Sequence, residues 1–359
     1  MKINVAVGQI KPRKGDYAGN LARVGDLFEQ VEEDAPDTDV LVLPETVLSG
    51  YFLEGAVREV ARSSDELLAD LLALYRERVR RPCAALDICL GFYELGDGKY
   101  YNSALYATLT VTPQPPLRTP RVPGSGEGER ARKSPSPFEG QGDLGGEGAE
   151  RAEGDSGGVA RPVWATAAQT QAASLPGIRH VHRKFFLPTY GVFDEKRFVS
   201  RGRTVNAFDT RFGRAAVIIC EDAWHSITAT LAALKGAQVI YVISASPGRE
   251  FSGQHLGNVT RWGVLLPGIA DEHNVWVVYS GLVGFEGGKG FTGSSRVIDP
   301  WGNTIVQGPA LDECLLRATI DLDDVATARA VSPLLADLES ALGDITMELD
   351  QIARKPHVA

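Results

Sequence analysis

The residue of this sequence best suited to chemistry is a cysteine that ends an apolar run. The stretch "VIICEDAW" reads as a buried strand that ends at Cys220, followed at once by a turn and the start of a helix. Ligands bind at the carboxyl ends of strands in open α/β sheets, and a helix amino terminus there favours a thiolate and offers N–H groups to an oxyanion. This position is typical of a nucleophile, although most free cysteines are small buried hydrophobic residues.

A nucleophilic cysteine needs a partner, because a thiol with a pKa near ~8.5 is mostly protonated at neutral pH. None of the six histidines falls in a motif that suggests a Cys/His pair, although His225 is close to the cysteine in sequence. Glu45, in "VLVLPETVLSGY", directly follows an apolar strand, where a charge is costly unless it has a function or a partner. The sequence therefore offers either a carboxylate that acts as the base or an ordinary surface glutamate after a strand.

A cation completes the set of candidate residues. Lys184 stands in "HRKFFLPTYG", between an arginine and two phenylalanines. It is either an ordinary exposed lysine or the fixed positive charge that stabilises an oxyanion.

The elements that must position these side chains alternate between strands and helices. Strands are predicted at residues 3–9 and in "DVLVLPE", "AALDICLGFYE", "YNSALYATLTV", "AAVIICEDAW", "AQVIYVISASP", "VWVVYSGLVGFE", "SSRVIDPWGNTIV" and "CLLRATIDLD", with "DPWGN" as a hairpin turn. Helices are predicted in "GNLARVGDLFEQVEE", behind an Asn20 cap, in "SSDELLADLLALY", where Ser63 and Glu66 have capping-box spacing, and in "WHSITATLAALKG". This alternation predicts an α/β fold.

Composition limits the function classes. The net charge is -9, from 46 acids and 37 bases, which argues against nucleic acid or an anionic membrane surface as a partner. Four cysteines, Cys83, Cys89, Cys220 and Cys314, are too few and too scattered for a disulfide scaffold or a zinc ribbon. With an amino terminus too polar for a signal peptide, this predicts a cytoplasmic protein.

Two segments depart from the α/β pattern. Residues 113–176 are rich in Gly, Pro, Ser and charges of both signs, which predicts a disordered insertion. Near the carboxyl end, "SPLLADLESALGDITMELDQIARK" has the apolar periodicity of an amphipathic helix.

Three fragments, "LPETVLSGY", "RKFFLPTYGVFDEKRF" and "VIICEDAW", resemble in that order the signatures of the nitrilase superfamily of carbon–nitrogen hydrolases. The wording of "LPTYGVFDEKRF" and "CEDAW" is most similar to the glutaminase domains of glutamine-dependent NAD synthetases. The resemblance implies a four-layer α-β-β-α sandwich that pairs through its helices. It implies a hydrolase domain over residues 1–320, interrupted at 113–176, and a helical tail over residues 321–359 for packing or dimer contact.

The resemblance also implies roles for individual residues. Glu45 corresponds to the general base, Lys184 to the oxyanion stabiliser and Cys220 to the nucleophile. Glu195 best matches a fourth catalytic position, with Asp194 as its rival. The implied substrate-pocket residues, among which Glu221 also offers its backbone N–H to the oxyanion, are Tyr51, Tyr190, Glu221, Trp224 and Ser246.

The expected activity is that of a thiol amidase, which converts a small linear amide to a carboxylate and ammonia or amine through a thioester. One alternative is a nitrilase that acts on C≡N with the same triad, and another is a glutaminase-type subunit that supplies ammonia to a separate synthetase. The expected partners are a small-molecule amide or nitrile and a second copy of the chain, with no metal or organic cofactor.

Overall fold

The computed structural model of the protein describes residues 1–81, 85–111, 175–249, 251–252 and 255–354. The insertion predicted at 113–176 lies outside this part of the chain, apart from residues 175 and 176, and so does Cys83. The described residues belong to one compact unit.

The strands, in chain order, are β1 Lys2–Gln9, β2 Val40–Val42, β3 Ala85–Gly96, β4 Lys99–Thr110, β5 Gly177–Arg183, β6 Ala207–Asp209, β7 Arg214–Ile219, β8 Val239–Ser244, β9 Phe251–Ser252, β10 His255–Leu256, β11 Trp276–Gly281, β12 Gly284–Glu286, β13 Lys289–Phe291, β14 Arg296–Ile298, β15 Thr304–Gln307 and β16 Cys314–Asp321. The α-helices are α1 Tyr17–Asp34, α2 Val57–Val60, α3 Ser64–Arg78, α4 Glu195–Phe198, α5 Ser226–Leu234, α6 Gly257–His273, α7 Asp323–Val331 and α8 Leu334–Arg354. Two 3₁₀ turns cover Glu54–Ala56 and Cys220–Trp224.

Twelve of these strands build two six-stranded sheets. The first sheet has the order β16-β1-β2-β3-β4-β5, in which β1, β2 and β3 run parallel. The second has the order β15-β14-β11-β8-β7-β6, in which β11, β8 and β7 run parallel. The parallel strands read as continuous apolar runs because helices cover one face of each sheet and the other sheet covers the opposite face.

The two sheets pack face to face between helical layers. One apolar cluster joins residues of both sheets, such as Val42 of β2 and Val217 of β7, and continues through the second sheet to Ala232 of α5 and Leu266 of α6. A second cluster joins the outer face of the first sheet to α1 and α3. The four-layer α-β-β-α sandwich expected from the sequence is confirmed.

Local signals placed one helix start correctly and another wrongly. Ser63 caps α3, and its side chain and that of Glu66 form the predicted capping box. At α1 the cap is Asp16, whose carboxylate accepts the backbone N–H of Gly19, and the predicted cap Asn20 lies inside the helix. Asn20 instead donates its amide to the backbone carbonyls of Arg13 and Leu48. A tertiary contact thus replaced the local role that its residue type suggested.

Within the described ranges, every helix is too short or too polar to cross a lipid bilayer.

Candidate active site

Cys220 lies at a sharp turn between a strand and a helix. It directly follows β7 and opens the 3₁₀ turn Cys220–Trp224, with a backbone φ of +46°. A non-glycine residue seldom adopts this left-handed conformation, and such strain is concentrated at functional sites. The side chain is buried, and the hydroxyl of Ser244, at the end of β8, donates to Sγ over 3.2 Å.

Glu45 follows β2 and is completely buried. Its Oε1 accepts from Lys184 Nζ at 2.8 Å and from Asn102 Nδ2 at 2.7 Å. Its Oε2 accepts the backbone N–H of Ala245, which lies just beyond β8 in the other sheet, at 2.6 Å. Gly91 of β3 permits this placement, since a Cβ there would lie 2.5 Å from the Glu45 Cα. Both sheets therefore hold the carboxylate in one orientation.

Lys184 follows β5 and is also completely buried. Its Nζ donates to Glu45 Oε1 and to Glu195 Oε1, each at 2.8 Å. Burial disfavours the charged form, but the two carboxylates outweigh burial and raise the lysine pKa well above its usual value. The side chain is consequently a fixed ammonium between two carboxylates.

Glu195, the first residue of α4, is the second of those carboxylates. Its Oε1 also accepts from Tyr51 Oη at 2.5 Å and from Asn102 Nδ2 at 3.2 Å, while Oε2 is buried with no hydrogen-bond partner among the described residues. Burial raises the pKa of Glu195, and the charge of Lys184 opposes that rise. Its rival Asp194 lies outside the cluster, since its exposed carboxylate is 3.7 Å from the Arg197 guanidinium.

The thiol of Cys220 responds to both charges of this cluster. Burial raises its pKa well above the usual value, the carboxylate of Glu45 adds to the rise, and the ammonium of Lys184 opposes it. Desolvation therefore outweighs the ammonium in setting the thiol pKa. A thiol with a raised pKa requires a base to become a nucleophile.

The predicted pocket residues divide into three groups. Tyr51 is buried at the Glu195 carboxylate, and both residues line a cavity of about 190 Å³. Tyr190 is 47% exposed and donates to the carboxylate of Glu221, the residue after the cysteine, at 2.9 Å.

Trp224 and Ser246 both contact the buried indole ring of Trp262. The rings of Trp224 and Trp262 pack edge to face, with centroids 5.4 Å apart. The Ser246 hydroxyl accepts from Trp262 Nε1 and from Asn258 Nδ2, both at 3.1 Å. The structure thus gives Ser246 a role in holding α6 against the end of β8.

Sequence reasoning missed three polar residues of this region. Asn102 joins the carboxylates of Glu45 and Glu195, and a polar residue in the predicted strand "YNSALYATLTV" was the available signal. Asp222 joins the cysteine turn to the lysine segment, and its place in the motif "CEDAW" was the signal there. Arg249, whose guanidinium carbon lies 5.8 Å from the Tyr190 ring centroid, carried no signal that set it apart from an ordinary surface residue.

The described residues contain no group of three or more His, Cys, Asp or Glu side chains arranged to hold a metal ion. The chemistry available to the site is that of a thiol, two carboxylates and an ammonium.

Comparison with known proteins agrees with this set of groups. Residues 4–112 and 153–330 match the profile of the carbon-nitrogen hydrolase family. The chain belongs to this family. It is 32% identical over 334 residues to a glutamine-dependent NAD(+) synthetase of Thermotoga maritima, a match that covers 92% of this chain and 44% of that protein. It is 23% identical over 338 residues to a probable nitrilase of Schizosaccharomyces pombe, with 92% of each chain covered.

The solved structures agree on the fold. The crystal structure of a carbon-nitrogen hydrolase from Helicobacter pylori G27 superposes with a TM-score of 0.68 and 21% identity, over 95% of this chain and 98% of that chain. The chain spans less than half the length of the NAD(+) synthetases that it matches, 25% for that of Aquifex aeolicus and 44% for that of Thermotoga maritima.

Proposed function

We propose that this carbon–nitrogen hydrolase is a thiol amidase that converts a small linear amide to a carboxylate and ammonia or amine through a thioester on Cys220. The observation that carries this proposal is that consecutive residues at the end of β8 bind the buried thiol and the Glu45–Lys184 ion pair. The Ser244 hydroxyl donates to Cys220 Sγ, the Ala245 backbone N–H donates to Glu45 Oε2, and Lys184 donates to Glu45 Oε1. A rigid acid/base group and a rigid ammonium beside a nucleophile are what acyl transfer requires.

In the first half of the reaction Glu45 takes the thiol proton while Cys220 Sγ attacks the amide carbonyl carbon. The carbonyl oxygen becomes an oxyanion, which the Lys184 ammonium and a backbone N–H at the turn stabilise. The C–N bond then breaks, and the leaving nitrogen takes the proton from Glu45. Ammonia or amine departs, and the acyl group remains on sulfur.

In the second half Glu45 takes a proton from water, and the resulting hydroxide attacks the thioester. The carboxylate product leaves and sulfur regains its proton. Glu195 has a positioning role in this scheme. Because it binds Lys184 through a second 2.8 Å contact, the ammonium stays in place while Glu45 is transiently neutral.

Two alternatives use the same triad. A nitrilase reaction would begin with the same attack on a C≡N carbon, and the relative in Schizosaccharomyces pombe is named as a probable nitrilase. A glutaminase reaction is favoured by the surroundings of Tyr190, whose hydroxyl donates to the Glu221 carboxylate and whose ring centroid lies 5.8 Å from the guanidinium carbon of Arg249. A carboxylate and a cation that both neighbour one side chain suit a substrate that carries both charges, such as the amino-acid end of glutamine.

The deciding experiment is an ammonia-release screen over glutamine, other ω-amides, carbamoyl amines and nitriles, with Cys220→Ala as the control. The proposal expects an amide to be turned over faster than its matched nitrile. A faster nitrile would make the protein a nitrilase, and ammonia release retained in Cys220→Ala would exclude thiol chemistry altogether.

We also propose an oligomeric state and a cellular setting for the protein. The amphipathic helix α8 exposes the apolar side chains of Leu342, Met347, Leu349 and Ile352, which supports a homodimer contact through this helix. A monomer mass by light scattering at micromolar concentration would contradict it. A reducing, cytoplasmic setting suits a reaction that needs Cys220 as a free thiol.

A further inference from the structure

Asp222 is a completely buried carboxylate two residues after the nucleophile, in the 3₁₀ turn Cys220–Trp224. Its Oδ1 accepts the backbone N–H groups of Phe185 and Phe186, at 3.0 and 2.8 Å. Those two residues directly follow Lys184. One oxygen of Asp222 therefore binds the segment that carries the ammonium.

The other oxygen binds on both sides of the site. Oδ2 accepts the backbone N–H of Ile219, the residue before the nucleophile, at 3.1 Å. It also lies 2.9 Å from Nε2 of His182, which is 1% exposed and stands two residues before Lys184. Because an ionised carboxylate only accepts, His182 donates through Nε2.

These four contacts use the whole acceptor capacity of the carboxylate, which is about four lone-pair sites. Asp222 consequently has no free lone pair with which to accept a proton from substrate or to bind an amine. Its contacts connect two segments that no strand pairing joins, since β5 belongs to the first sheet and β7 to the second.

We propose that Asp222 and His182 are positioning residues, which set the distance between the Lys184 ammonium and the Cys220 sulfur by tying the lysine segment to the cysteine turn. This inference rests on the proposed function, in which that distance governs stabilisation of the oxyanion. The hydrogen bond from the Ile219 N–H to Asp222 Oδ2 also closes the turn that contains Cys220. It thereby supports the left-handed backbone conformation of Cys220. A displacement of about 1 Å in such a site lowers the rate by about 10²-fold.

The test compares two histidines of β5. His182→Leu removes the donor to Asp222, whereas His182→Gln retains an amide N–H at about the reach of Nε2. His180→Leu is the matched control, because His180 lies on the same strand, stacks on Phe208, and makes no contact with Asp222.

We expect His182→Leu to lower kcat by about 10²-fold with KM changed by less than about twofold, since the loss falls on the transition state rather than on binding. His182→Gln should recover most of that loss, and His180→Leu should match the wild type. If His182→Leu does not fold, His182→Asn replaces it, because its amide is too short to reach Asp222.

A second readout does not depend on turnover. The charged groups that act on the thiol are Glu45, Lys184 and Glu221, and Lys184 alone among them lowers its pKa. A displaced ammonium should therefore move the pH midpoint of Cys220 alkylation by iodoacetamide upward in His182→Leu and leave it unchanged in His180→Leu.

The outcomes separate the two proposals. A His182→Leu enzyme that unfolds at a lower temperature but keeps the wild-type kcat and alkylation profile would overturn the positioning role and leave the amidase intact. A His182→Gln enzyme as impaired as His182→Leu would also overturn it, because the hydrogen bond would not be the cause. Activity retained in Cys220→Ala overturns the proposed function, whatever the histidine variants do.

Discussion

Two buried clusters of charge lie at opposite ends of the first sheet. The first, the active-site cluster, consists of Glu45, Lys184 and Glu195 beyond the carboxyl end of β2. The second, the Asp87 cluster, lies where β3 begins, beside the first residue of β2, and pairs Asp87 with Arg211 Nε at 2.8 Å. Both bury a carboxylate beside a cation, but they differ in whether every carboxylate oxygen has a hydrogen-bond partner.

The Asp87 cluster is closed. Arg211, Thr108 and Tyr106 donate to the two oxygens of Asp87, the latter two at 2.8 and 2.9 Å. A second guanidinium, that of the half-buried Arg179, acts on the same carboxylate and donates to Thr108. In the active-site cluster two carboxylates share one ammonium, and Glu195 Oε2 lacks a partner among the described residues. A carboxylate whose oxygens are all bound can only stabilise the fold or cost it energy, whereas one with an unbound oxygen can accept a proton. The comparison leads to four predictions.

The largest effect is expected for Cys220→Ala and for Glu45→Gln. Each should lower kcat by at least about 10⁴-fold, because nucleophile and base act as a unit. Ammonia release measures the loss, and circular dichroism checks that each variant is folded. Cys314→Ala, which replaces a half-buried thiol on β16, two strands from β2 in the first sheet, should retain full activity.

Removal of the cation from each cluster tests the contrast directly. Lys184→Gln and Arg211→Gln each leave a buried carboxylate without its partner and should each lower the free energy of unfolding by about 3–5 kcal/mol. Only Lys184→Gln should also lower kcat, by about 10²–10³-fold, because it removes an oxyanion stabiliser. Urea unfolding and turnover per folded molecule provide the two values. An equal loss of kcat in Arg211→Gln would contradict the inference that only the active-site cluster acts in catalysis.

Removal of one phenolic donor from each cluster is milder. Tyr51→Phe removes the 2.5 Å hydrogen bond to Glu195, and Tyr106→Phe removes the 2.9 Å hydrogen bond to Asp87. Each should cost about 1.5–3 kcal/mol of stability, the usual worth of a hydrogen bond to a charged group. We expect only Tyr51→Phe also to lower kcat, by about tenfold. Equal kcat values for the two tyrosine variants would contradict the functional difference between the two clusters.

The smallest expected effect is on how the free energy of unfolding depends on pH. Burial raises the pKa of Asp87 above its ordinary value of 3.8, so the folded state binds that proton more tightly than the unfolded state does. This contribution to stability is complete below pH 3.8 and is lost as the pH rises through the folded pKa. Asp87→Asn should lack this decline when urea unfolding is followed from pH 3.5 upward, and an unchanged slope would show that Asp87 does not titrate in that window.

The elements and the family were accessible from local patterns. Apolar runs of five to eight residues predicted the parallel strands, and the spacing of Ser63 and Glu66 predicted the cap of α3, because both signals act over a few residues. Three ordered motifs predicted the family and its sandwich, and both are confirmed. The catalytic roles of Glu45, Lys184, Glu195 and Cys220 stay predictions, which the variants above address.

The partners of those side chains were not accessible. Lys184 and Glu45 are 139 positions apart, and Ala245, which fixes the other oxygen of Glu45, is 200 positions away from it. The same limit explains the wrong cap at Asn20, whose amide donates to the backbone carbonyl of Leu48. It also applies to the pKa of Cys220, because desolvation depends on everything that packs around the sulfur.

The sequence by itself determined which reactive groups exist and at which strand ends they stand, because periodicity and turn chemistry are local properties. Only the tertiary structure decided that Glu195 rather than Asp194 meets the lysine, that burial raises the pKa of the thiol, and that Asp222 binds both the lysine segment and the cysteine turn. Each of these depends on distances and burial between segments far apart in the chain, which is where electrostatic energies are set.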